Sequence, residues 1–247
     1  MIVAAALPGL PEIRAGDDLA NLLVAVAGRF ADGDVLVLAH KIVSKAEGRT
    51  VALADVEPGD RARELAAEHG KDPRAVEVIL GQSTEIVRSR PGVLICRTRH
   101  GFVCANAGVD ASNAPSGGEL VLLPEDPDGS ARALRRRLRA LNGVAPAIVI
   151  SDSFGRAWRV GQTDVAIGIA GLAPVEDWRG RRDGAGRKLN ATIIAIADQA
   201  AGAADLVRGK DSHEPAVLVR GLERHVRDAD GPGAAALIRA RDEDLFL

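Results

Sequence analysis

The stretch Asp128-Gly-Ser-Ala-Arg-Ala-Leu-Arg-Arg-Arg-Leu-Arg-Ala-Leu-Asn142, closed by Gly143 and followed by Ala145-Pro-Ala-Ile-Val-Ile150, carries both kinds of element from which the fold is built. Ala131, Leu134, Leu138 and Leu141 recur at three- and four-residue spacing, which lines one face of a helix, and a glycine just past Asn142 ends it. Ala145 to Ile150 is short, apolar and partly β-branched, the composition of a buried strand. Arg135, Arg136, Arg137 and Arg139 fall mostly off the apolar face and read as a solvated helix surface.

Upstream, Asp17 is a candidate N-cap for a helix through Phe30, and the apolar run Val35 to Ala39 predicts a second buried strand. Helices are expected around Arg61 to His69 and Pro73 to Leu80. Gly92 to Arg97 and Gly101 to Ala105 flank a polar turn and suit a hairpin, and Leu120 to Leu123 reads as another strand. Downstream come a long Ala-rich helix from Leu189 to Val207, a strand from Ala216 to Val219, and a helical C-terminal tail. Helices and strands mixed without regular alternation predict an α+β fold, with mixed sheets and packed helices, over a doubly wound sheet. Neither G-x-x-x-x-G-K-[ST] nor G-x-G-x-x-G occurs, and Gly209-Lys210 runs into Asp211, so a P-loop or Rossmann architecture is not expected. With no linker, repeat or low-complexity tract, residues 1–247 read as one unit.

Hydrophobic residues at 47% and charged residues at 27% are ordinary globular usage, which sets aside disorder and fibrous repeats. A formal charge of -2 and only 2% aromatic residues give no pull toward nucleic acid and little to stack bases on, so any anionic ligand must be held by local cations. No apolar window reaches the length of a membrane span and no basic segment precedes an apolar one at the N-terminus, so no membrane partner is expected and the chain is read as cytoplasmic. Cys96 and Cys104 are then expected to be reduced core residues.

Three polar constellations leave apolar strands. Asn106-Ala-Gly-Val-Asp-Ala-Ser-Asn113 offers Asp110 to a hard cation and Asn106, Ser112 and Asn113 to a ligand, or it is an Asx-type turn. Ser151-Asp-Ser-Phe-Gly-Arg-Ala-Trp-Arg159 offers Asp152 and Ser153 to an ion shared with Asp110, and Arg156 and Arg159 to phosphate oxygens, or it is a capped turn with surface arginines. His40-Lys-Ile-Val-Ser-Lys-Ala-Glu-Gly-Arg49 spaces Lys41, Lys45 and Arg49 four apart, on one side of a helical turn, as a triphosphate pocket or an ordinary basic face. Weaker candidates are Arg187 in Asp183 to Leu189, Asp198 with Gln199, and the loop Arg208 to Pro215 with Lys210 and Asp211.

Taken in order, Leu7-Pro-Gly-Leu-Pro11, Val43-Ser-Lys-Ala-Glu-Gly-Arg49, Asn106 to Asn113, Leu122 to Ala131, Ser151-Asp-Ser-Phe-Gly-Arg156, Ala166-Ile-Gly-Ile-Ala-Gly171, Asp177-Trp178 and Pro215 to Gly221 resemble the coenzyme F420 glutamate ligase family over nearly the whole chain. The resemblance implies a GTP-dependent ligase that adds L-glutamate to the lactyl-phosphate end of a deazaflavin coenzyme precursor and then extends a γ-linked tail. It further implies Mg²⁺ or Mn²⁺, with K⁺ as an additional ion, and a homodimer of intertwined α+β subunits, here with two intertwined subdomains. Carried over by position, Leu10, Pro11, Glu12, Ile13, His40, Lys41, Lys45 and Asn113 fall where the family contacts GTP, and Lys210 and Asp211 where a nucleotide-binding segment lies. Asp110, Asp152 and Ser153 fall at its metal positions, and Asp110, Asp152 and Arg156 are the expected catalytic residues. Ser153 replaces a common Thr, Gln199 stands in place of an expected Glu, and His40-Lys41 replaces a Ser/Thr pair. Some bacterial relatives carry a C-terminal flavin-binding reductase-like domain, which this chain is read as lacking. The same carboxylates would also serve a metal-dependent phosphohydrolase, and the cations a non-catalytic nucleotide-binding regulator.

Overall fold

The structure is a computed structural model that describes residues 1–111, 118–209 and 211–244. The chain opens with β1 (Val3–Ala6), α1 (Leu19–Ala27), β2 (Val35–Ala39), α2 (His40–Ala46) and β3 (Thr50–Ala52). An excursion follows through α3 (Asp60–His69), α4 (Pro73–Gly81), β4 (Ser83–Arg90), β5 (Val93–Thr98), β6 (Val103–Ala105) and β7 (Glu119–Val121). The remainder is α5 (Pro127–Asn142), β8 (Ala147–Arg156), β9 (Arg159–Ala170), β10 (Glu176–Asp177), β11 (Ile193–Ile194), α6 (Ile196–Val207) and β12 (Ala216–Arg220).

The central sheet has the order β1-β12-β2-β8-β9, in which only β2 and β8 run parallel. Val35 to Leu38 and Ala147 to Ile150 are fully buried, as expected of strands covered on both faces. Burying each such aliphatic side chain is worth roughly 1.5–3 kcal/mol, which is why these two runs form the middle of the fold. Helices α1, α5 and α6 contribute Leu19, Leu23, Leu138, Ala197 and Ala201 to the same core. A second core, with Leu65, Val76, Ile79, Leu94, Leu120 and Leu122, belongs to the excursion. Its two ends are joined where β3 pairs with β7 and Leu122 N–H donates to the Arg49 carbonyl at 3.0 Å. The fold is therefore α+β with two subdomains, and its mixed central sheet is neither a P-loop nor a Rossmann arrangement.

Several local expectations are corrected. Asp18, not Asp17, caps α1 by accepting from Asn21 N–H at 3.1 Å, while Asp17 accepts from Arg14 N–H; the helix stops at Gly28, well before Phe30. Strand β8 does not end at Ile150 but continues to Arg156, because 151–156 pair with β9 in a long hairpin that turns at Ala157-Trp158, with Trp158 at φ 62°. Residues 189–195 are not helical and α6 starts only at Ile196, since the β-branched Thr192-Ile193-Ile194 pairs back toward Trp178 and β10. The C-terminal tail forms short 3₁₀ turns, interrupted by Gly231-Pro232-Gly233, in place of a helix. Arg135 is no surface residue: it is buried and donates to Asp230, at 2.8 Å, and to the carbonyls of Arg227 and Asp228.

Candidate active site

Strand direction gathers the polar residues. Because β2 and β8 are parallel and in register from Val35–Ala147 to Ala39–Ser151, the end of β2 lies beside the middle of β8, and His40 and Asp152, each one residue further on, come to one place. β1 points the same way and β12 the opposite way, so the turn after β1 and the approach to β12 meet at the same edge. The result is a cleft of about 480 Å³ bordered by Leu10 to Ile13, His40, Lys41, Lys45, Asp110, Ser151 to Ser153, Gln162, Asp164, Arg208 and His213 to Pro215.

Within it, Lys41 Nζ lies 2.7 Å from Asp110 Oδ2, which joins α2 to the turn after β6. Lys45 Nζ lies 2.6 Å from Glu12 Oε1 and is itself nearly buried. His40 Nε2 stands 3.5 Å from Asp152 Oδ1 and is buried without a hydrogen-bond partner, while Nδ1 sits 3.3 Å from Ser44 Oγ. Burial holds the His40 imidazole below the ordinary histidine value, against the opposing pull of the Asp152 charge. Burial likewise raises the Asp152 carboxyl, with His40 and the Ser153 N–H acting the other way. Both groups thus pay for enclosure by leaning toward their neutral forms.

Asp110 reaches the cleft through a strained turn. Asn106 and Ala107 have φ of 52° and 54°, and a Cβ on Gly108, at φ 72°, would lie 2.7 Å from Leu123 Cγ. Beyond the turn, Asp110 is fixed by two backbone bonds to Val121. A bulge between Ile150 and Ser151 shifts the β8–β9 register just where the polar residues begin, and Asp198 on α6 accepts the Ala166 N–H beside it at 2.9 Å. Burial raises the Asp198 carboxyl, and Gln199 is exposed on the outer side of α6.

Of the residues singled out from sequence, Leu10, Pro11, Glu12, Ile13, His40, Lys41, Lys45, Asp110, Asp152 and Ser153 are brought together. Arg156 is not among them: it sits exposed at the hairpin tip, donating to the Val160 carbonyl at 2.6 Å. Arg49 turns away to the Leu123 carbonyl, Gln82 and Glu125. Arg187 belongs to an exposed hairpin whose tip is organised by Asp183. Asp211 is exposed. Asn113 and Lys210 lie outside the described residues. Asp164 and Arg208 were missed, because a lone Asp in Gln162-Thr-Asp-Val165 and an Arg at a helix end carry no motif; only the β8–β9 pairing reveals them.

The donor set suits a hard divalent cation: Asp110 and Asp152 supply carboxylate oxygens and Ser153 a hydroxyl. Among the described residues no three of His, Cys, Asp or Glu converge on one point. A Mg²⁺-like ion fits such a sparse set, since it keeps several waters and takes phosphate oxygens as further ligands.

Residues 9–221 match the family described as F420-0:Gamma-glutamyl ligase. The coenzyme F420:L-glutamate ligase of Methanopyrus kandleri is 50% identical over 237 residues, 95% of this chain and 93% of that protein. Its namesake in Methanothermobacter thermautotrophicus is 46% identical over 244 residues, 96% of each chain. That of Archaeoglobus fulgidus is 44% identical over 240 residues, 96% of this chain and 93% of the relative. The chain belongs to the F420-0:gamma-glutamyl ligase family.

Proposed function

We propose that the protein is a coenzyme F420:L-glutamate ligase that uses GTP to join L-glutamate, first to the lactyl-phosphate carboxylate of the deazaflavin precursor and then through γ-linkages. The observation that carries the reading is one cleft that pairs recessed carboxylates with the amines of Lys41 and Lys45, in a chain 40–50% identical to relatives bearing that name.

The residue types follow from the chemistry. A carboxylate resists attack by an amine until one oxygen becomes a good leaving group. Transfer of the γ-phosphoryl group of GTP to the precursor carboxylate gives an acyl phosphate and GDP; the glutamate amine then attacks the acyl carbon and phosphate departs. Lys41 and Lys45 would steady phosphate oxygens, and Leu10 to Ile13 would line the nucleotide. Asp110, Asp152 and Ser153 would hold Mg²⁺ or Mn²⁺, which offsets charge on the phosphoryl oxygens. Asn113, Lys210 and Asp211 belong to the same proposal as nucleotide contacts, K⁺ as an additional ion, and Arg156 as a phosphate contact supplied from the hairpin tip. A homodimer is also proposed: Trp158 and Val160, 85% and 98% exposed on that tip, are apolar surface for a second copy to cover.

The test is mass spectrometry of the precursor after incubation with protein, GTP, Mn²⁺ and glutamate, with each omitted in turn. Addition of glutamate units only in the complete mixture supports the ligase. GTP hydrolysis that ignores glutamate and leaves the precursor unchanged overturns it in favour of a phosphohydrolase, and bound but intact GTP in favour of a regulator.

A further inference from the structure

The turn that carries Asp110 to the cleft holds three successive residues in the left-handed region: Asn106 at φ 52°, Ala107 at 54° and Gly108 at 72°. Such conformations persist only where the surroundings hold them, and a buried N–H needs an acceptor. Val109 N–H donates to the Asn106 carbonyl and Asp110 N–H to the Val121 carbonyl, both at 3.0 Å. The two amides before them are turned to sulfur. Ala107, only 2% exposed, directs its N–H toward Cys96 Sγ, and Gly108 directs its own toward Cys104 Sγ.

The two cysteines stand directly opposite each other across β5 and β6, both buried, so one face of the hairpin offers two adjacent sulfurs to the turn that follows it. Cys96 shares its core with Ala107 and Val109. Ser83, whose hydroxyl donates to the Ile79 carbonyl at 2.6 Å, lies beside Cys96 and gives that thiol's proton an oxygen to meet. Asp152 is near enough to Cys104 for its charge to be felt there, which sets the pair just behind the cleft. Valine would fill nearly the same space as cysteine but could accept nothing from either amide. Serine would pack less well and still accept.

We propose that Cys96 and Cys104 are positioning residues: their sulfurs hold the Asn106–Gly108 turn by its amides and so aim the Asp110 carboxylate into the cleft. The task of that carboxylate rests on the function proposed above; the contact between sulfur and amide does not. The experiment compares full-length wild type with Cys96→Val, Cys96→Ser, Cys104→Val and Cys104→Ser. Amide hydrogen exchange of 106–110 is measured without ligands, glutamate incorporation at saturating GTP, Mn²⁺ and glutamate, and Tm by thermal unfolding. The valine variants should exchange the turn amides faster and lose about 10- to 100-fold in turnover, the effect of a displaced active-site group. The serine variants should keep turnover close to wild type even where their Tm falls further than that of the valine variants. Should Cys96→Val fail to fold, the Cys104 pair carries the comparison. Cysteines that merely pack give the reverse order, with valine active and serine impaired, and that order overturns the proposal. Unchanged exchange of the turn in the folded valine variants overturns it as well. Absence of glutamate incorporation in wild type overturns the assigned reaction instead, and the exchange comparison alone then decides whether the sulfurs hold the turn.

Discussion

Gly168 in β9 packs directly against the start of α5, and replacing it with alanine should be costly. A Cβ there would stand 2.4 Å from the Pro127 carbonyl oxygen and 2.6 Å from its carbon, both backbone atoms that have no rotamer to yield. Nor is the helix start free to retreat. Asp128 Oδ1 accepts the Ile169 N–H and the Ala234 N–H, each at 2.8 Å, stapling the first turn of α5 to β9 and to the C-terminal turn. Overpacking of this kind costs about 1–3 kcal/mol. Breaking a partly buried Asp128 bond as the helix shifts costs about 1 kcal/mol more. A combined loss near 3 kcal/mol should lower Tm by about 6–12 °C, at about 2–4 °C per kcal/mol for a chain of this size. Thermal unfolding followed by circular dichroism measures it. Gly155→Ala is the control, since nothing lies within 4 Å of the added Cβ, and it should stay within about 0.5 kcal/mol of wild type. A Gly168→Ala midpoint matching the control would refute the claim that α5 is held rigidly against β9.

Asp110→Asn and Asp152→Asn should each abolish glutamate incorporation while far-ultraviolet circular dichroism stays that of wild type; near-normal turnover in both would sink their assignment to the ion. Lys41→Met should weaken GTP binding about 10- to 100-fold, the equivalent of a charged hydrogen bond worth about 1.5–3 kcal/mol, with little change in Tm. Undiminished affinity by fluorescence titration would remove Lys41 from the phosphate contacts. Burial pushes the Cys104 thiol up to about 12 and raises Cys96 as well, so at pH 8 the reactive thiolate is scarce. A thiol-reactive chromophore should therefore report neither cysteine in the native protein and both in guanidinium chloride, and rapid native labelling would contradict this.

The sequence displayed its middle and hid its edges. Val35 to Ala39 and Ala145 to Ile150 are apolar along their whole length because both faces of the central strands are covered, and the 128–142 helix announces itself by spacing. β4 was illegible because Glu85, Arg88 and Arg90 mask a strand exposed along much of its length, and β9 because its first third, 159–162, is exposed and mixes Arg159 and Gln162 with Val160 and Gly161. The polar ends of apolar runs pointed to Lys41, Asp110 and Asp152, since strand ends open onto a cleft. What spacing could not supply was partnership. The four-residue rhythm of Lys41, Lys45 and Arg49 predicted one cationic face, whereas α2 ends at Ala46 and Arg49 serves a different contact. Arg135 looked like its solvated neighbours until the 227–230 loop was folded over it.

The pairing of β3 with β7 makes entry and exit of the excursion adjacent, so everything between them is a cassette set on a closed clasp. Such a module can lengthen, shrink or be exchanged in descent without disturbing the register of the five-stranded sheet. Among its described residues, the side chain that constrains that freedom at the cleft is Asp110, held against Val121 at the clasp itself and joined to Lys41 across the seam. Variation among descendants should accordingly accumulate far from the clasp, around α3, α4 and the β4–β5 turn, and fall away as the chain approaches Asp110.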